Sequence, residues 1–195
     1  MSLPRIAIFG FAAIILGVCS PAARAQLNFN PFSAYSDNVA RAAAKDDAAA
    51  VRQLVGSGEG NPNQTDDSSH TAMHYAAMNG NLQIIAILIK ANAKLNVTDN
   101  LGDTPLHLAA EHNQSEAAKL LLDVGAEVDP QNKNGQTPLM IAASHGSLEL
   151  VRALLAKGAS TTKTDYTGRD ALSWAQDSHR PAVVKAITRA AGKGS

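Results

Sequence analysis

The chain has 195 residues, 45% of them hydrophobic but only 4% aromatic, with 17 basic and 17 acidic side chains. That length leaves little room for a second domain beside one elongated one, and the scarcity of rings means that a core must be built from Ala, Leu, Ile and Val. A balanced charge with no basic stripe argues against a nucleic-acid partner, which needs one.

Residues 1–25 read as an export signal. Arg5 gives a positive start, Ile6 to Val18 is an almost unbroken apolar run, and Ala23-Arg24-Ala25 puts small residues at the two positions a signal peptidase reads. The run is 13 residues long, short of the roughly 20 that a membrane span needs. Cleavage is expected after Ala25, leaving a mature chain that begins at Gln26, has no membrane attachment and is periplasmic or secreted. The alternative is an inner-membrane adaptor that keeps this segment as an anchor. Cys19 is the only cysteine and leaves with the signal, so the mature chain has no thiol to misbridge in an oxidising compartment. Bulky Val18 before Cys19 argues against lipidation there. Arg5 and Arg24 leave too, so residues 26–195 carry 15 basic and 17 acidic side chains.

Residues 26–36 have no period and read as a linker, with Phe29 or Phe32 available to dock on the first helices. A first unit, 37–66, begins at Asp37. Its Val39, Ala42 and Ala43 align with Leu139, Ala142 and Ala143 at an offset of 100, as do Val51, Leu54, Val55 and Gly58 with Val151, Leu154, Leu155 and Gly158. Three 33-residue steps make 99, so one residue is inserted, with Gly60-Asn61-Pro62-Asn63 as its expected place.

Full units follow at 67–99, 100–132 and 133–165, then a last unit at 166–195. One phrase marks them at steps of 33: Thr71-Ala72-Met73-His74, Thr104-Pro105-Leu106-His107, Thr137-Pro138-Leu139-Met140 and Asp170-Ala171-Leu172-Ser173. Such a strict period marks a solenoid, whose units bury their apolar faces only by stacking. Each full unit shows two helical stripes. Leu106, Ala109 and Ala110 precede Ala117, Ala118, Leu121 and Leu122, and Leu139, Ala142 and Ala143 precede Leu148, Val151, Leu154 and Leu155. The stripe Leu82, Ile84, Ile85, Leu88 and Ile89 is the most apolar and belongs in mid-stack. Gly80, Asn113 and Gly146 occupy the turn between the two helices, and Asn92, Gly125 and Gly158 follow the second. Asn at both exceptions is what a required left-handed backbone predicts.

Period, phrase, paired alanines, inter-helix glycine and post-helix Gly-Ala together resemble the ankyrin repeat family over residues 37–195. The resemblance implies an all-α helical solenoid. Each unit is a β-hairpin-like loop followed by two antiparallel helices, and capping repeats close both ends. Thr caps the first helix, and Pro after it loses nothing because its missing N–H is unneeded there. His74 and His107 are then structural, bonding Thr and the backbone of the adjacent loop. The chain departs from the family pattern at Ser69, Ala72, Met140, Asp170 and Ser173, mostly toward the ends, although Asp170 remains a good cap. The second helix of the last unit should begin near Pro181, with Trp174 covering the end of the core.

No catalytic constellation, phosphate loop or zinc-helix motif is present, so no enzyme activity, cofactor or metal is expected. His112 and His145 lie one repeat apart and with Glu111 offer at most an adventitious metal site. Asp46-Asp47 reads as solvated, and Asp66-Asp67 lacks calcium-loop spacing. Asp66 recurs as Asp99, Asn132 and Asp165, which suits loop stabilisation through backbone N–H groups.

What remains is the surface. The concave face of loop tips and first helices should carry Asp67, Ser68, His70, Met78 and Asn79, then Asn100, Leu101, Asp103, Glu111 and His112. Lys133, Asn134, Gln136, Ser144 and His145 come next, and Tyr166, Thr167 and Arg169 complete it. Leu101, Met78 and Tyr166 are the anchor candidates and Arg169 a charged partner. The expectation is a monomeric, non-enzymatic module that binds a protein.

Overall fold

The computed structural model describes residues 38–192. The expected signal segment 1–25 and linker 26–36, with Phe29 and Phe32, lie outside the described residues.

The repeat unfolds as five helix pairs. They are α1 (Val39–Ala44) with α2 (Ala48–Gly56), α3 (Ala72–Asn79) with α4 (Leu82–Lys90), α5 (Pro105–Glu111) with α6 (Ser115–Asp123), α7 (Pro138–His145) with α8 (Leu148–Ala156), and α9 (Ala171–Asp177) with α10 (Pro181–Ala191). There is no strand among the described residues, although an isolated antiparallel bridge joins Thr164 and Asp170. First helices stack on first helices and second on second. The first-helix row is the more tightly packed, which makes it the concave side.

Alanine permits that close approach. Ala76, Ala77, Ala109, Ala110, Ala142 and Ala143 are all fully buried along the first-helix row. Ile84, Ile85, Leu88, Leu121, Leu150, Val151 and Leu154 fill the space beside the second row. Two details differ from the stripes read in the sequence. Leu82 is 42% exposed at the start of α4, and Leu148 is only half-buried while Leu150 takes the core position. In both helices the core begins at the third residue, because the first lies beside the polar cap.

Thr71, Thr104 and Thr137 are the N-caps of α3, α5 and α7, with Pro105 and Pro138 at the first helical position. Asp170 caps α9 by accepting from the Ser173 N–H at 2.8 Å. The turn between paired helices is left-handed in every unit: Asp46 φ 61°, Gly80 71°, Asn113 57°, Gly146 76° and His179 54°. Asp46-Asp47 is therefore not merely solvated. Asp46 holds the strained turn and accepts from Asn81 Nδ2 at 2.8 Å, while Asp47 caps α2 through the Ala50 N–H at 2.9 Å.

The inserted residue is Glu59, just before the expected stretch. Gly58 has the positive φ of Asn92, and the Gly60 N–H donates to the Leu54 carbonyl as the Ala93 N–H does to Leu88. Glu59 is thus the extra residue between the two equivalences. A side chain at Gly60 would meet Val39 Cγ2 at 2.5 Å, which explains glycine where later units carry alanine.

Candidate functional site: the loop tips and first helices

Four loops of one design precede the first helices: 66–70, 99–103, 132–136 and 165–169. In each, the first residue's N–H donates to the fifth residue's carbonyl, at 3.0, 3.0, 3.0 and 2.9 Å in chain order. Its side-chain Oδ1 accepts from the third and fifth N–H groups. Asp99 takes those of Leu101 and Asp103, both at 2.8 Å, and Asp66, Asn132 and Asp165 do the same in their loops. The fourth residue has φ between 63° and 83° and is Gly102, Gly135 and Gly168, with Ser69 the exception. Polar groups are consumed inside each turn, so the second and third residues are left to point outward.

Adjacent loops are tied by one backbone bond each. Asn100 N–H donates to Ser68 O (3.2 Å), Lys133 to Leu101 (3.0 Å) and Tyr166 to Asn134 (3.1 Å). A second tie comes from the buried histidines. His74 Nδ1 accepts from the Thr71 N–H at 3.0 Å, so Nε2 carries the hydrogen and donates to the Asp103 carbonyl at 3.1 Å. His107 does the same between Thr104 (3.1 Å) and the Gln136 carbonyl (3.0 Å). Burial pushes both imidazoles below their usual pKa. They are neutral rivets of the stack, as the resemblance implied. At the next interface Met140 offers only Sδ to the Thr137 N–H, at 3.4 Å.

The predicted surface residues divide into three groups. Asp67, Asn100, Leu101, Lys133, Asn134 and Tyr166 are exposed at the tips, and Glu111, His112 and His145 at the helix ends. His70, Met78, Gln136 and Arg169 are half-buried. Asp103 does not present its carboxylate outward. It is 6% exposed, and its Oδ1 accepts from Asn132 Nδ2 at 2.8 Å in the next loop. His70 Nε2 is likewise engaged, with Asp99 Oδ2 at 3.0 Å. His145 Nδ1 lies 3.0 Å from the Ile141 carbonyl of its own helix. Among the described residues no group of three or more His, Cys, Asp or Glu side chains converges on a metal position.

Six of the predicted residues do come together. Lys133, Asn134, Gln136, Tyr166, Thr167 and Arg169 line a cleft of about 290 Å³ between the last two loops, with Trp174 behind them. The Arg169 guanidinium lies 3.6 Å from the Trp174 ring centroid, the geometry of a cation–π contact. Its other neighbours are Thr167 Oγ1 at 3.1 Å, Asp165 at 3.7 Å and Asp177 at 3.5 Å.

Sequence reasoning missed one feature of this face. The fifth position of the phrase, Tyr75, Leu108, Ile141 and Trp174, recurs at steps of 33 behind the tips. Behind the first and last of the four loops it carries a donor that reaches back to the loop: Tyr75 OH to Asp66 Oδ2, and Trp174 Nε1 to Asp165 Oδ2 at 3.0 Å. Burial works to raise both carboxyls, but hydrogen bonds from these rings and the loop outweigh it and hold them below the usual range. Burial, helped by Asp66, pushes the Tyr75 hydroxyl up to about 12. The readable signal was an aromatic donor nine residues after a loop aspartate, 66 to 75 and 165 to 174.

A larger groove, about 660 Å³, lies on the second-helix side between α2 and α4. It opens because small Ala86 stands where Arg52, Lys119, Arg152 and Lys185 occupy the other units.

The profile of the family described as Ankyrin repeats (3 copies) matches residues 39–132 and 124–193. No curated protein matches the chain.

Proposed function

The chain belongs to the ankyrin repeat family, whose arrays are protein-interaction modules, and from that premise we propose that it is an exported, non-enzymatic module holding a protein partner on its concave face. One observation carries the reading. Leu101 and Tyr166, 66% and 75% exposed, are two of the four exposed large hydrophobics among the described residues, and both stand on loop tips. The tips' backbone groups are already bonded from loop to loop, so the stack gains nothing from apolar side chains turned to solvent there. A partner does, because such side chains serve as anchors. Recognition by this rigid row of loops needs little rearrangement.

Export rests on Arg5, the Ile6–Val18 run and Ala23-Arg24-Ala25. Mass measurement of the native protein tests it. An N-terminus at Gln26 supports release into the periplasm or medium, and retention of the segment supports an anchored adaptor. The face is tested by crosslinking and pulldown with mature protein and a Leu101→Asp/Tyr166→Asp double variant whose fold is checked by circular dichroism. Loss of the partner is expected, and unchanged recovery by the folded variant defeats the concave-face assignment.

A further inference from the structure

Resting on that reading, we propose that the cleft between the last two loops is its anchor and takes an acidic, aromatic-bearing extended segment of the partner. One carboxylate would sit on the Lys133 ammonium and one ring against Tyr166 and Trp174.

The cleft is where the chain leaves its own repeat. Where earlier loops carry Asp67, Asn100 and Lys133, the last carries Tyr166. Where they carry His70, Asp103 and Gln136, it carries Arg169. Behind these, Trp174 replaces Leu108 and Ile141. The other units stack without these three side chains at the corresponding positions.

Charge decides the class of ligand. Arg169 is balanced by Asp165 and Asp177. Asp165 is spent on the Thr167 and Arg169 N–H groups and the Trp174 indole. Lys133 is different: its Nζ donates to the Asn100 carbonyl at 2.8 Å, and no carboxylate lies within ion-pair distance of it among the described residues. An ammonium has three hydrogens, so two remain for an incoming acceptor. The cleft lining itself carries Lys133 and Arg169 against the single carboxylate of Asp165, while Asp177 lies outside that lining, so the charge facing an incoming segment is positive. Asp67, exposed on the first of the four loops, lies toward the other end of the face and disfavours a second acidic stretch there, which sets the segment's acidic end at the last two loops.

The cleft is also pre-shaped. Tyr166 is 75% exposed, yet a Cβ on Gly135 would come within 2.7 Å of its ring, so the ring lies directly against that glycine. Its N–H is held by Asn134. A ring already fixed loses little side-chain entropy on binding.

Trp174 is the only tryptophan in the chain, so its emission reports occupancy. The probes are a capped peptide with one aromatic residue between glutamates and its counterpart with lysines. The glutamate peptide should shift Trp174 emission saturably, the lysine peptide should not, and Lys133→Glu should weaken binding about tenfold or more. Lys185→Glu, on the exposed side of α10, should leave it unchanged. Equal response to both peptides, no response at millimolar concentration, or binding indifferent to Lys133→Glu in a folded variant overturns the proposal. If the peptide fails while Leu101→Asp/Tyr166→Asp still abolishes partner recovery, this inference falls and the concave-face reading stands. If partner recovery survives that double variant, the wider reading falls with it.

Discussion

Met140 stands where His74 and His107 rivet neighbouring repeats, so exchanging the two residue types tests what a rivet contributes. His107→Met removes three bonds, from the Thr104 N–H, with the Thr104 hydroxyl and to the Gln136 carbonyl, each worth at most about 1 kcal/mol net. Some is recovered, since a thioether accepts weakly from the cap N–H, as Met140 does at 3.4 Å. The Gln136 carbonyl also keeps the Asn132 N–H. The expected loss is about 1–2 kcal/mol. Met140→His should do the reverse, because the Arg169 carbonyl accepts one backbone bond, from the Asp165 N–H (2.9 Å), as Gln136 does from Asn132. Its expected gain is about 1 kcal/mol. At roughly 2 cal/mol/K per residue over the 155 residues from 38 to 192, that is about 3 °C in Tm, against a fall of about 3–6 °C for His107→Met.

The assay is thermal and urea unfolding followed by circular dichroism at pH 8, where the imidazole is neutral folded and unfolded. The pH series then adds a signature that packing alone cannot mimic. A buried imidazole has a folded pKa below its unfolded value near 6.5. Its stabilisation is therefore complete above 6.5 and is lost as pH falls from there toward the folded pKa, by at most about 1.4 kcal/mol per pH unit per histidine. Met140→His should steepen that loss and His107→Met should flatten it. A neutral His107→Met, or a Met140→His that destabilises the fold at pH 8, would refute the rivet argument.

The remaining predictions follow from the same contacts. In the parent protein, stability should fall first below about pH 6.5 as the unfolded counterparts of His74 and His107 bind protons. A second loss should begin near pH 3.8, because Asp66 and Asp165 have folded pKa values below that figure and their contribution is lost as pH falls through them. Urea midpoints across pH 3–8 check both, and a flat profile between 7 and 5 contradicts the first. Asp129→Asn should stabilise by about 0.5–1 kcal/mol. Asp129 Oδ2 accepts from the Ser160 N–H as Asn63 and Asn96 accept from Lys94 and Glu127, but its Oδ1 is buried without a partner; a loss of stability would show that the second oxygen matters. Gly135→Ala should cost at least about 2 kcal/mol and Gly168→Ala about 1. Both have positive φ, but only at Gly135 does the new Cβ meet the Tyr166 backbone, at 2.8 Å; equal costs would mean that loop packing contributes nothing.

Much of the stack was legible because stacking forces the same residue to the same place every 33 positions. Thr71, Thr104 and Thr137, the paired alanines and the left-handed Asn92 and Asn113 are all repeated demands, and repetition makes a demand visible. What failed to show was non-periodic. Glu59 was misplaced because glycine and proline nearby made a later insertion look easier, whereas the Gly60 N–H bond to Leu54 had to be seen. Asp103 shares its register with loop-tip surface positions, yet its partner Asn132 lies 29 residues on. Asp46 and His179 in the left-handed turn were hidden for another reason: neither is a residue that advertises positive φ as glycine does. Of the site, Lys133, Asn134, Gln136, Tyr166 and Arg169 were legible as positions between the repeated ones. Their meeting with Trp174 was not, because it depends on how one loop lies against the next.

The first and last of the four loops solve the same problem, and the solution bears on where recognition sits. An inner loop spends its acid's second oxygen or amide on a neighbouring loop: Asp99 on His70, and Asn132 on Asp103. The outer loops turn it instead to a ring of their own first helix, Tyr75 for Asp66 and Trp174 for Asp165. That closes the last loop on itself, and the interface beneath it gives up its histidine rivet at Met140 without losing the loop's shape. In the last loop the fifth residue makes its side-chain contacts within its own unit, to Thr167, Asp165 and Asp177, and none to another loop among the described residues. Arg169 can then leave the role played by buried Asp103, lie across Trp174, and face outward with Tyr166. The positions that recognition can use are those the stack has released, and the last loop has released the most.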